Sequence, residues 1–426
     1  MTRFDPSGPL QGSLRPPSDK SISHRAALIA AMGEGETEIS GYLDAADTRS
    51  TLAAVEALGA RVDGDPAAGL RIGGVGLHGA GSATIDVGNA GTLLRLLPGW
   101  LAGQEHGAWT LDGDESIRRR PVDRIATPLR RMGANLRCRE ERLPPLEIEG
   151  TTLHGATYEM PIASAQVKSC LLFAGLLAGG ETRVLEPLPS RDHTERMLAA
   201  AGAPIDRDGN AVAVRPVERL EPGPIEVPAD ISSAAFFIVA ASLVEGSEAI
   251  LEQVNVNPTR TGLLAILERM GAKVELEEAR EVSGEPIARL RVRSAPLRAT
   301  EVGGAEIPLA IDELPLVALG ACFAEGTTTI RDAEELRRKE SDRIETVTAA
   351  LRALGGQVEP AADGMVVEGT GGLRGGAIDS HGDHRIAMLG AIAGLASREG
   401  VEVRGMDAAA VSYPGFESDL SSLVGP

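Results

Sequence analysis

The segment Pro16-Pro17-Ser18-Asp19-Lys20-Ser21-Ile22-Ser23-His24-Arg25 leads directly into the apolar run 26–32. The two prolines favour an extended approach, and the serine and aspartate residues that follow commonly cap helix N-termini. The pattern predicts a helix whose first turn carries Lys20, Ser21 and Arg25. Cations beside the free N–H groups of a helix start suit an anion, although the segment by itself also fits a capped surface helix.

The composition indicates a globular protein with more than one domain. The chain has 426 residues, 43% of them hydrophobic and 24% charged, which is too long for a single core. No apolar run approaches the roughly 20 residues that span a bilayer, and the N-terminus lacks an apolar signal core. Three widely spaced cysteines suit a reducing compartment, so we expect a cytoplasmic protein. The net charge of −19 argues against a nucleic-acid or membrane surface, whereas a local cluster of cations can still bind a small anion.

One sequence pattern recurs along the chain. A helical pattern ends in Gly-Ala or Gly-Gly and is followed by two short alternating segments typical of strands. It occurs at 52–60, 128–134, 195–203, 263–272 and 347–356. Six more apolar helical segments alternate with these copies, at 26–32, 93–101, 170–177, 234–244, 316–323 and 386–395. The repeat therefore has the order βαβαββ and spans about 70 residues.

The sixth copy is divided between the two ends of the chain. Residues 416–424 supply its second helix, and its strands are expected at 12–15. Six units exceed one domain, so we predict two α/β domains of three repeats each. The N-terminal strands then belong to the domain that holds the C-terminus. We predict a discontinuous domain of residues 1–19 plus 230–426, a second domain of residues 20–229, and an active site in the cleft between the domains.

The six apolar helices are predicted to begin with similar polar residues. These starts lie at 18–21, 88–92, 164–168, 230–233, 312–315 and 382–385. Capping explains their Ser, Asp and Asn residues but not their Lys and Arg residues. Three further basic runs, 118–120, 190–195 and 337–343, lie at corresponding points of the repeat, although such runs are often solvated surface. Helix N-termini and cations that face one cleft would bind an anionic ligand.

Few residues suggest other chemistry. Asp312 and Glu340 can act in proton transfer, or equally as a helix cap and an ion-pair partner. His24 and His193 are expected to be structural. The sequence contains neither a P-loop nor a Rossmann fingerprint. The segment His381-Gly382-Asp383-His384 suggests a metal site, but nothing in the sequence supplies a second cluster of ligands. We therefore expect neither a metal nor a nucleotide cofactor.

Seven motifs, in order along nearly the whole chain, resemble the 5-enolpyruvylshikimate-3-phosphate synthase family, also called 3-phosphoshikimate 1-carboxyvinyltransferase. They are Ser18-Asp19-Lys20-Ser21-Ile22-Ser23-His24-Arg25, Gly88-Asn89-Ala90-Gly91-Thr92 with Arg95, Arg120-Pro121, Ala163-Ser164-Ala165-Gln166-Val167-Lys168-Ser169, Ser190-Arg191-Asp192-His193-Thr194-Glu195, Arg338-Lys339-Glu340-Ser341-Asp342-Arg343 and Gly382-Asp383-His384-Arg385. The resemblance implies the family's fold, a two-domain inside-out α/β barrel of six βαβαββ repeats.

The resemblance also implies an activity and its residues. The enolpyruvyl group of phosphoenolpyruvate passes to the 5-hydroxyl of shikimate 3-phosphate by addition and elimination, releasing phosphate, in the pathway to chorismate and the aromatic amino acids. The motifs imply that shikimate 3-phosphate is held by Lys20, Ser21, Arg25, Ser164, Ala165, Gln166, Ser190, Arg191, Asp312 and Lys339. They imply that phosphoenolpyruvate is held by Lys20, Asn89, Gly91, Arg120, Gln166, Arg343 and Arg385. Asp312 would take the hydroxyl proton, and Glu340, with Lys20 nearby, the methylene proton. The implied partners are these two substrates, without nucleic acid or membrane, and the protein is expected to be a monomer.

The sequence departs from the best-known members of that family at several positions. Leu96 replaces a Pro, Ala165 a Ser, Glu335 an Asn and Val411 a Lys that contacts phosphoenolpyruvate. The motifs at 164–168 and 190–195 are similar to those of the second class, many of whose members tolerate glyphosate. Gly91 is retained where tolerant members can carry Ala, so the response to glyphosate stays open.

Three alternatives remain at this point. UDP-N-acetylglucosamine enolpyruvyl transferase shares fold and donor but usually carries a Cys in a mobile loop, whereas Cys138, Cys170 and Cys322 are predicted in strands or helices. An RNA 3′-phosphate cyclase has related repeats but is expected to be basic. A non-catalytic relative that binds anions would have no need of the full set Lys20, Asp312, Glu340 and Arg385.

Overall fold

The structure is a computed structural model that describes residues 1–424, and it divides into two compact units. The terminal unit comprises residues 1–17, 229–280 and the chain from Pro286 onward, and the internal unit comprises residues 18–228 and 281–285. The domain prediction placed residues 281–285 with the terminal domain. Each unit has its own hydrophobic core.

Twenty-three strands lie in the described part of the chain. They are β1 Thr2–Phe4, β2 Gln11–Leu14, β3 Glu36–Ser40, β4 Arg61–Asp65, β5 Gly69–Gly73, β6 Ala83–Asp86, β7 Ala108–Asp112, β8 Asn135–Arg139, β9 Leu143–Glu149, β10 Thr157–Glu159, β11 Thr182–Leu185, β12 Ile205–Asp208, β13 Ala211–Val214, β14 Ile225–Glu226, β15 Glu248–Asn255, β16 Lys273–Val282, β17 Glu285–Arg293, β18 Glu301–Val302, β19 Thr327–Ile330, β20 Gln357–Ala361, β21 Gly364–Glu368, β22 Gly376–Asp379 and β23 Val401–Arg404.

Thirteen α-helices lie between them, again counted over residues 1–424. They are α1 Lys20–Met32, α2 Ala46–Ala57, α3 Gly91–Ala102, α4 Asp123–Arg131, α5 Ala165–Gly175, α6 His193–Ala200, α7 Ile231–Leu243, α8 Gly262–Arg269, α9 Ile307–Ala310, α10 Leu314–Phe323, α11 Arg343–Ala353, α12 His384–Ala396 and α13 Phe416–Leu423. Short 3₁₀ turns precede α4, α9, α11 and α13.

The helices fall into two kinds, as the sequence predicts. The six apolar helices α1, α3, α5, α7, α10 and α12 are buried on nearly every side. The six that alternate with them (α2, α4, α6, α8, α11 and α13) each keep exposed positions. Helices that are apolar all round belong in the interior, so each unit has three helices at its centre. This arrangement confirms the predicted inside-out α/β fold.

Each unit also contains three sheets. In the internal unit their strand orders are β14-β3-β5-β4, β6-β7-β9-β8 and β10-β11-β13-β12. In the terminal unit the orders are β2-β15-β17-β16, β18-β19-β21-β20 and β22-β23-β1. The first two strands of each order run parallel. In four of the six sheets these two strands are consecutive in the chain and are joined by a βαβ crossover. Alternating burial along strands such as β3 turns one face of the sheet to the core.

The divided sixth repeat is organised differently from the prediction. The segment predicted as its strands, 12–15, forms most of β2, which pairs parallel with β15 in the sheet of the fourth repeat. The sixth sheet is instead completed by β1, which pairs antiparallel with β23. Similarly, β14 pairs with β3 of the first repeat. In the chain, however, β14 directly precedes α7, the first central helix of the terminal unit. Strands of two to four residues carry too little hydrophobic pattern to fix such pairings from sequence.

Over residues 1–424, no helix combines the length and apolar character that crossing a membrane requires.

Candidate active site

The first helix start lies in the internal unit and is well defined. Asp19 caps α1 by accepting a hydrogen bond from the Ile22 N–H at 2.8 Å. Lys20 is the first residue of the helix, and its Nζ lies 2.9 Å from Oδ2 of Asp47. Asp47 was missed in the sequence. Asp47 lies at the start of α2, and other copies of the repeat carry their basic runs at the corresponding position. That position in the repeat could have identified Asp47 as a candidate site residue.

Arg25 joins three elements around this helix start. Its Nε donates to Oγ1 of Thr194 at 2.6 Å, its Nη1 to the Ser21 carbonyl at 2.8 Å and its Nη2 to Oγ of Ser169 at 2.9 Å. Burial lowers the pKa of Arg25 to about 10, while the nearby Glu195 carboxylate opposes that shift. Arg25 thus remains charged at neutral pH and orients the first turn of α1 against α5 and α6.

His24 is fully buried one residue before Arg25. Its Nδ1 lies 2.6 Å from Oγ1 of Thr51. Burial lowers the pKa of His24 to about 3, with Asp47 acting in the opposite direction and Lys20 and Arg25 adding to the decrease. The ring is therefore neutral in the folded protein and belongs to the packing, as predicted.

The neutral state of His24 makes stability depend on pH. Because the unfolded chain takes up a proton near pH 6.5 and the folded one only near pH 3, stability decreases as pH falls through this interval. Between pH 7 and pH 5.5 this one group should cost about 1.3 kcal/mol of the internal unit's free energy of unfolding. Urea unfolding at both pH values should show a smaller loss for His24→Asn than for the wild type. Substitution of the exposed His78 by Asn is the control, and equal losses in H24N and wild type would contradict the assignment.

The second helix start brings Asn89, Gly91 and Arg120 together. Nη2 of Arg120 donates to Oδ1 of Asn89 at 2.9 Å, and Nδ2 of Asn89 donates to Oδ2 of Asp114 at 2.6 Å. Gly91 begins α3, and a Cβ at that position would lie 2.9 Å from Nη1 of Arg120 and 3.0 Å from Nη1 of Arg95. The glycine therefore permits two guanidinium groups to approach the helix N-terminus.

The third helix start is linked to the second. Ser164 caps α5 by accepting from the Val167 N–H, and Ala165 is the first residue of that helix. Nε2 of Gln166 donates to Oγ1 of Thr92 at 3.2 Å. Thr92 lies in the first turn of α3, so predicted ligands from both helix starts lie close together.

Lys168 does not share the role expected of the cations at these helix starts. Its side chain is 0% exposed, and its Nζ lies 2.7 Å from Oε2 of Glu186 and 2.8 Å from Oε1 of Glu195. It also donates to the Ser190 carbonyl at 3.3 Å, and the Ser190 hydroxyl donates to Glu186. Lys168 therefore holds the segment that carries the predicted ligands Ser190 and Arg191.

The basic runs are divided between surface and site. Arg118 and Arg119 form exposed ion pairs with Asp112 and Glu115, whereas Arg120 turns to Asn89. In the run at 337–343, Arg337 and Arg338 likewise pair with acidic residues nearby, whereas Lys339 contacts Asp312. The interpretation of a solvated face thus fits Arg118, Arg119 and Arg338, whereas Arg337 is partly buried and also donates to two main-chain carbonyls.

In the terminal unit the predicted residues form one cluster. Oδ1 of Asp312 lies 3.2 Å from Nζ of Lys339 and 3.5 Å from Nη1 of Arg343. Nη1 of Arg385 donates to the Asp312 carbonyl at 2.9 Å. Nη2 of Arg343 donates to Oε2 of Glu340 at 2.7 Å. All five predicted ligands and bases of this unit are therefore connected through direct contacts.

Arg343 is the centre of the cluster and is only 1% exposed. Besides Asp312 and Glu340 it contacts Asp383, with 2.9 Å between Nε and Oδ2. Burial alone would lower the pKa of Arg343, but the carboxylates of Asp383 and Glu340 outweigh it and raise that pKa. Burial likewise disfavours the ionised form of Asp383, and the Arg343 guanidinium still lowers its pKa. Asp383 also caps α12 at the Arg385 N–H, a structural role that its motif did not reveal.

A cluster of potential metal ligands directly follows the predicted ligands Ser190 and Arg191 in the chain. Within residues 1–424, the one group of three such side chains consists of Asp192, His193 and Glu285. Asp192 already faces the guanidinium groups of Arg196 and Arg207 at 3.0 and 3.1 Å, and Nδ1 of His193 lies 2.7 Å from Oε1 of Glu285. Two adjacent positive charges oppose binding of a cation, so this cluster fits an ion-pair network.

The three cysteines are free, and none has the properties of a nucleophile. Burial raises the pKa of the Cys138 thiol to about 11 and that of the Cys322 thiol to about 12. The pKa of Cys170 is also raised by burial. Because the thiolate is the reactive form, these residues are suited to packing and not to catalysis.

Comparison with known proteins assigns the family. The model for EPSP synthase (3-phosphoshikimate 1-carboxyvinyltransferase) matches residues 4–420. The chain belongs to the EPSP synthase family. The 3-phosphoshikimate 1-carboxyvinyltransferases of Alkalilimnicola ehrlichii and Methylococcus capsulatus are each 50% identical to it over 414 residues, which cover 96% of this chain and 93% and 94% of theirs. A solved structure of EPSP synthase from Acinetobacter baumannii is 42% identical, with a TM-score of 0.89, and the match covers 99% of this chain and 98% of that one. The predicted family and fold are confirmed.

Proposed function

We propose that this member of the EPSP synthase family transfers the carboxyvinyl group of phosphoenolpyruvate to the 5-hydroxyl of shikimate 3-phosphate, releasing phosphate. The observation that carries this function is the match of the family model to residues 4–420. Relatives of the same activity at about half identity over nearly the full chain support it. The reaction belongs to the shikimate pathway and to aromatic amino acid biosynthesis.

The chemistry proceeds in two balanced steps. In the addition, the 5-hydroxyl oxygen bonds to C2 of phosphoenolpyruvate, the hydroxyl loses its proton, and C3 gains one to become a methyl group. In the elimination, the C2–phosphate bond breaks and the methyl group loses a proton, which restores the double bond. We propose that Asp312 accepts the hydroxyl proton, and that Glu340 with Lys20 handles the proton at C3.

Both substrates are anions, and the positions of the cations suit them. In the internal unit, Lys20 and Arg25 lie in the first two turns of α1, and Arg120 lies beside the N-terminus of α3; helix N-termini carry partial positive charge. Arg191 lies near enough to Arg25 to lower the pKa of that guanidinium. In the terminal unit, Lys339, Arg343 and Arg385 surround Asp312. We propose that the ligand sets predicted from the motifs bind one pair of substrates, with Val411 contributing no charge where other members carry Lys.

Substitution of Gly91 by Ala should weaken binding of phosphoenolpyruvate. The added methyl would lie 2.9 Å from Nη1 of Arg120 and 3.0 Å from Nη1 of Arg95, which is closer than van der Waals contact. Arg120 must therefore move away from its position beside Asn89. We expect KM for phosphoenolpyruvate to rise about tenfold, equivalent to about 1.4 kcal/mol, with KM for shikimate 3-phosphate changed less than twofold. Steady-state kinetics measures both constants, and the glyphosate inhibition constant should rise in the same variant. Gly223→Ala, where a Cβ would meet nothing within 4 Å, is the matched control. An unchanged KM for phosphoenolpyruvate in G91A would contradict this geometry.

Acceptor selectivity tests the proposed function against its rivals. Phosphate release from phosphoenolpyruvate is followed with shikimate 3-phosphate, with UDP-N-acetylglucosamine and with no acceptor. We expect turnover with shikimate 3-phosphate alone. Turnover only with the sugar nucleotide would identify the other enolpyruvyl transferase. Binding of both substrates without phosphate release would identify a non-catalytic relative.

The remaining expectations concern partners and location. The family acts on the two small substrates, and we propose that this protein functions as a monomer in the cytoplasm without nucleic-acid or membrane partners. Light scattering coupled to size-exclusion chromatography should give the mass of one chain, 44.3 kDa.

A further inference from the structure

Glu313, the residue after Asp312, is a buried acidic residue outside the predicted ligand set. Its side chain is 2% exposed. A buried carboxylate is unfavourable unless charged or hydrogen-bonding partners compensate it. The partners of Glu313 therefore indicate what the residue does.

Those partners form a chain of contacts within the terminal unit. The hydroxyl of Ser232 donates to Oε1 of Glu313. That hydroxyl accepts a hydrogen bond from Nη2 of Arg260 at 2.7 Å, and the same Nη2 lies 3.0 Å from Oδ1 of Asp230. Asp230 and Ser232 belong to the fourth helix start, which the predicted ligand sets leave without a role. In the structure this helix start supports Glu313.

At its other end the chain of contacts reaches Arg385. Nη1 of Arg385 lies 3.6 Å from Oε1 of Glu313 and donates to the Asp312 carbonyl at 2.9 Å. Two consecutive residues therefore hold the same guanidinium nitrogen. A guanidinium has five N–H donors in a rigid plane, so fixing one nitrogen sets the direction of the others. The Arg385 side chain is 12% exposed and so retains access to a ligand.

We infer, resting on the proposed function, that Glu313 is a positioning residue for Arg385. Its carboxylate accepts from Ser232, which is held in turn by Arg260, and it orients the Arg385 guanidinium so that the remaining donors meet an anionic group of phosphoenolpyruvate. Because Glu313 is the ion-pair partner of Arg385, the carboxylate of the adjacent Asp312 can act as the proposed base. The fourth helix start thus acts on the substrate indirectly, through a buried polar network.

Glu313→Gln tests this role because it keeps the shape of the side chain and its acceptor oxygen but removes the charge. We expect KM for phosphoenolpyruvate to rise about tenfold, while KM for shikimate 3-phosphate changes less than twofold and kcat less than threefold. Ser232→Ala should shift KM for phosphoenolpyruvate in the same direction by about threefold, and it keeps the role testable if E313Q does not fold. The matched control is Glu306→Gln, since Glu306 pairs with Arg269 away from the cluster.

A double-mutant cycle with Arg385 separates positioning from a general structural role. If Glu313 acts through Arg385, E313Q should add no further change in KM for phosphoenolpyruvate to an Arg385→Ala enzyme. Additive effects, equal rises in both KM values, or an unchanged KM in E313Q would each overturn the inference. A wild-type protein without phosphate release that depends on shikimate 3-phosphate would instead overturn the proposed function.

Discussion

Asp312→Asn is expected to lower kcat for phosphate release by about 10²–10⁴-fold, the usual contribution of a general base. Asparagine keeps the size of the side chain and an oxygen that can accept from Lys339, but it cannot take the proton of the 5-hydroxyl. The contacts of the Asp312 carbonyl with Arg385 are made by the main chain and should survive. We therefore expect KM for both substrates to stay within a few-fold of the wild-type values.

Steady-state kinetics of purified D312N, with the unfolding midpoint measured in parallel, checks this prediction. Asp407→Asn is the matched control because Asp407 is exposed in the same unit. A kcat within threefold of the wild type in folded D312N would show that another group takes the proton.

Lys168→Met is expected to have the largest effect on stability. Lys168 neutralises Glu186 and Glu195, both nearly as buried as itself. Removing the cation leaves Glu195 with Arg207 as its ion-pair partner and Glu186 with the hydroxyl of Ser190. Loss of one partner from a buried ion pair typically costs about 3–5 kcal/mol. Urea denaturation of the internal unit should show a loss of free energy of unfolding in this range. Because Lys168 also binds the Ser190 carbonyl, KM for shikimate 3-phosphate should rise as well.

Two further variants make the Lys168 experiment decisive. Lys273→Met is the matched control, since Lys273 is exposed at the start of β16 and its loss should change stability by less than about 0.5 kcal/mol. The triple variant K168M/E186Q/E195Q removes both carboxylate charges that Lys168 compensates and should recover part of the loss. A K168M protein as stable as K273M would mean that the buried pairs contribute nothing.

The fold could be predicted from sequence because its signals repeat. Each apolar helix is buried on nearly all sides, and five of the six partner helices are followed by a glycine that precedes a strand. The pairing of the terminal strands could not be predicted in the same way. β1 and β2 together contain seven residues, and which sheet each joins depends on the two crossings of the chain near 17 and 228.

Some residues of the candidate site could likewise be predicted from sequence, and others could not. Helix starts that carry Lys20, Gly91, Gln166 or Arg385 stand out by their position in the repeat and by family motifs. Whether a charged residue faces a ligand or a buried partner depends on residues distant in sequence. Lys168 lies in a motif yet meets Glu186 and Glu195, whereas Asp47 and Glu313, outside the predicted set, contact Lys20 and Arg385. Such pairings follow from tertiary structure and leave no periodic pattern in the chain.

Identification of the product tests the central claim most directly. The purified protein is incubated with phosphoenolpyruvate and shikimate 3-phosphate, and the products are analysed by mass spectrometry and proton NMR. We predict one carboxyvinyl ether at the 5-oxygen of shikimate 3-phosphate for each phosphate released. Phosphate release without that ether, or an ether formed only on UDP-N-acetylglucosamine, would contradict it.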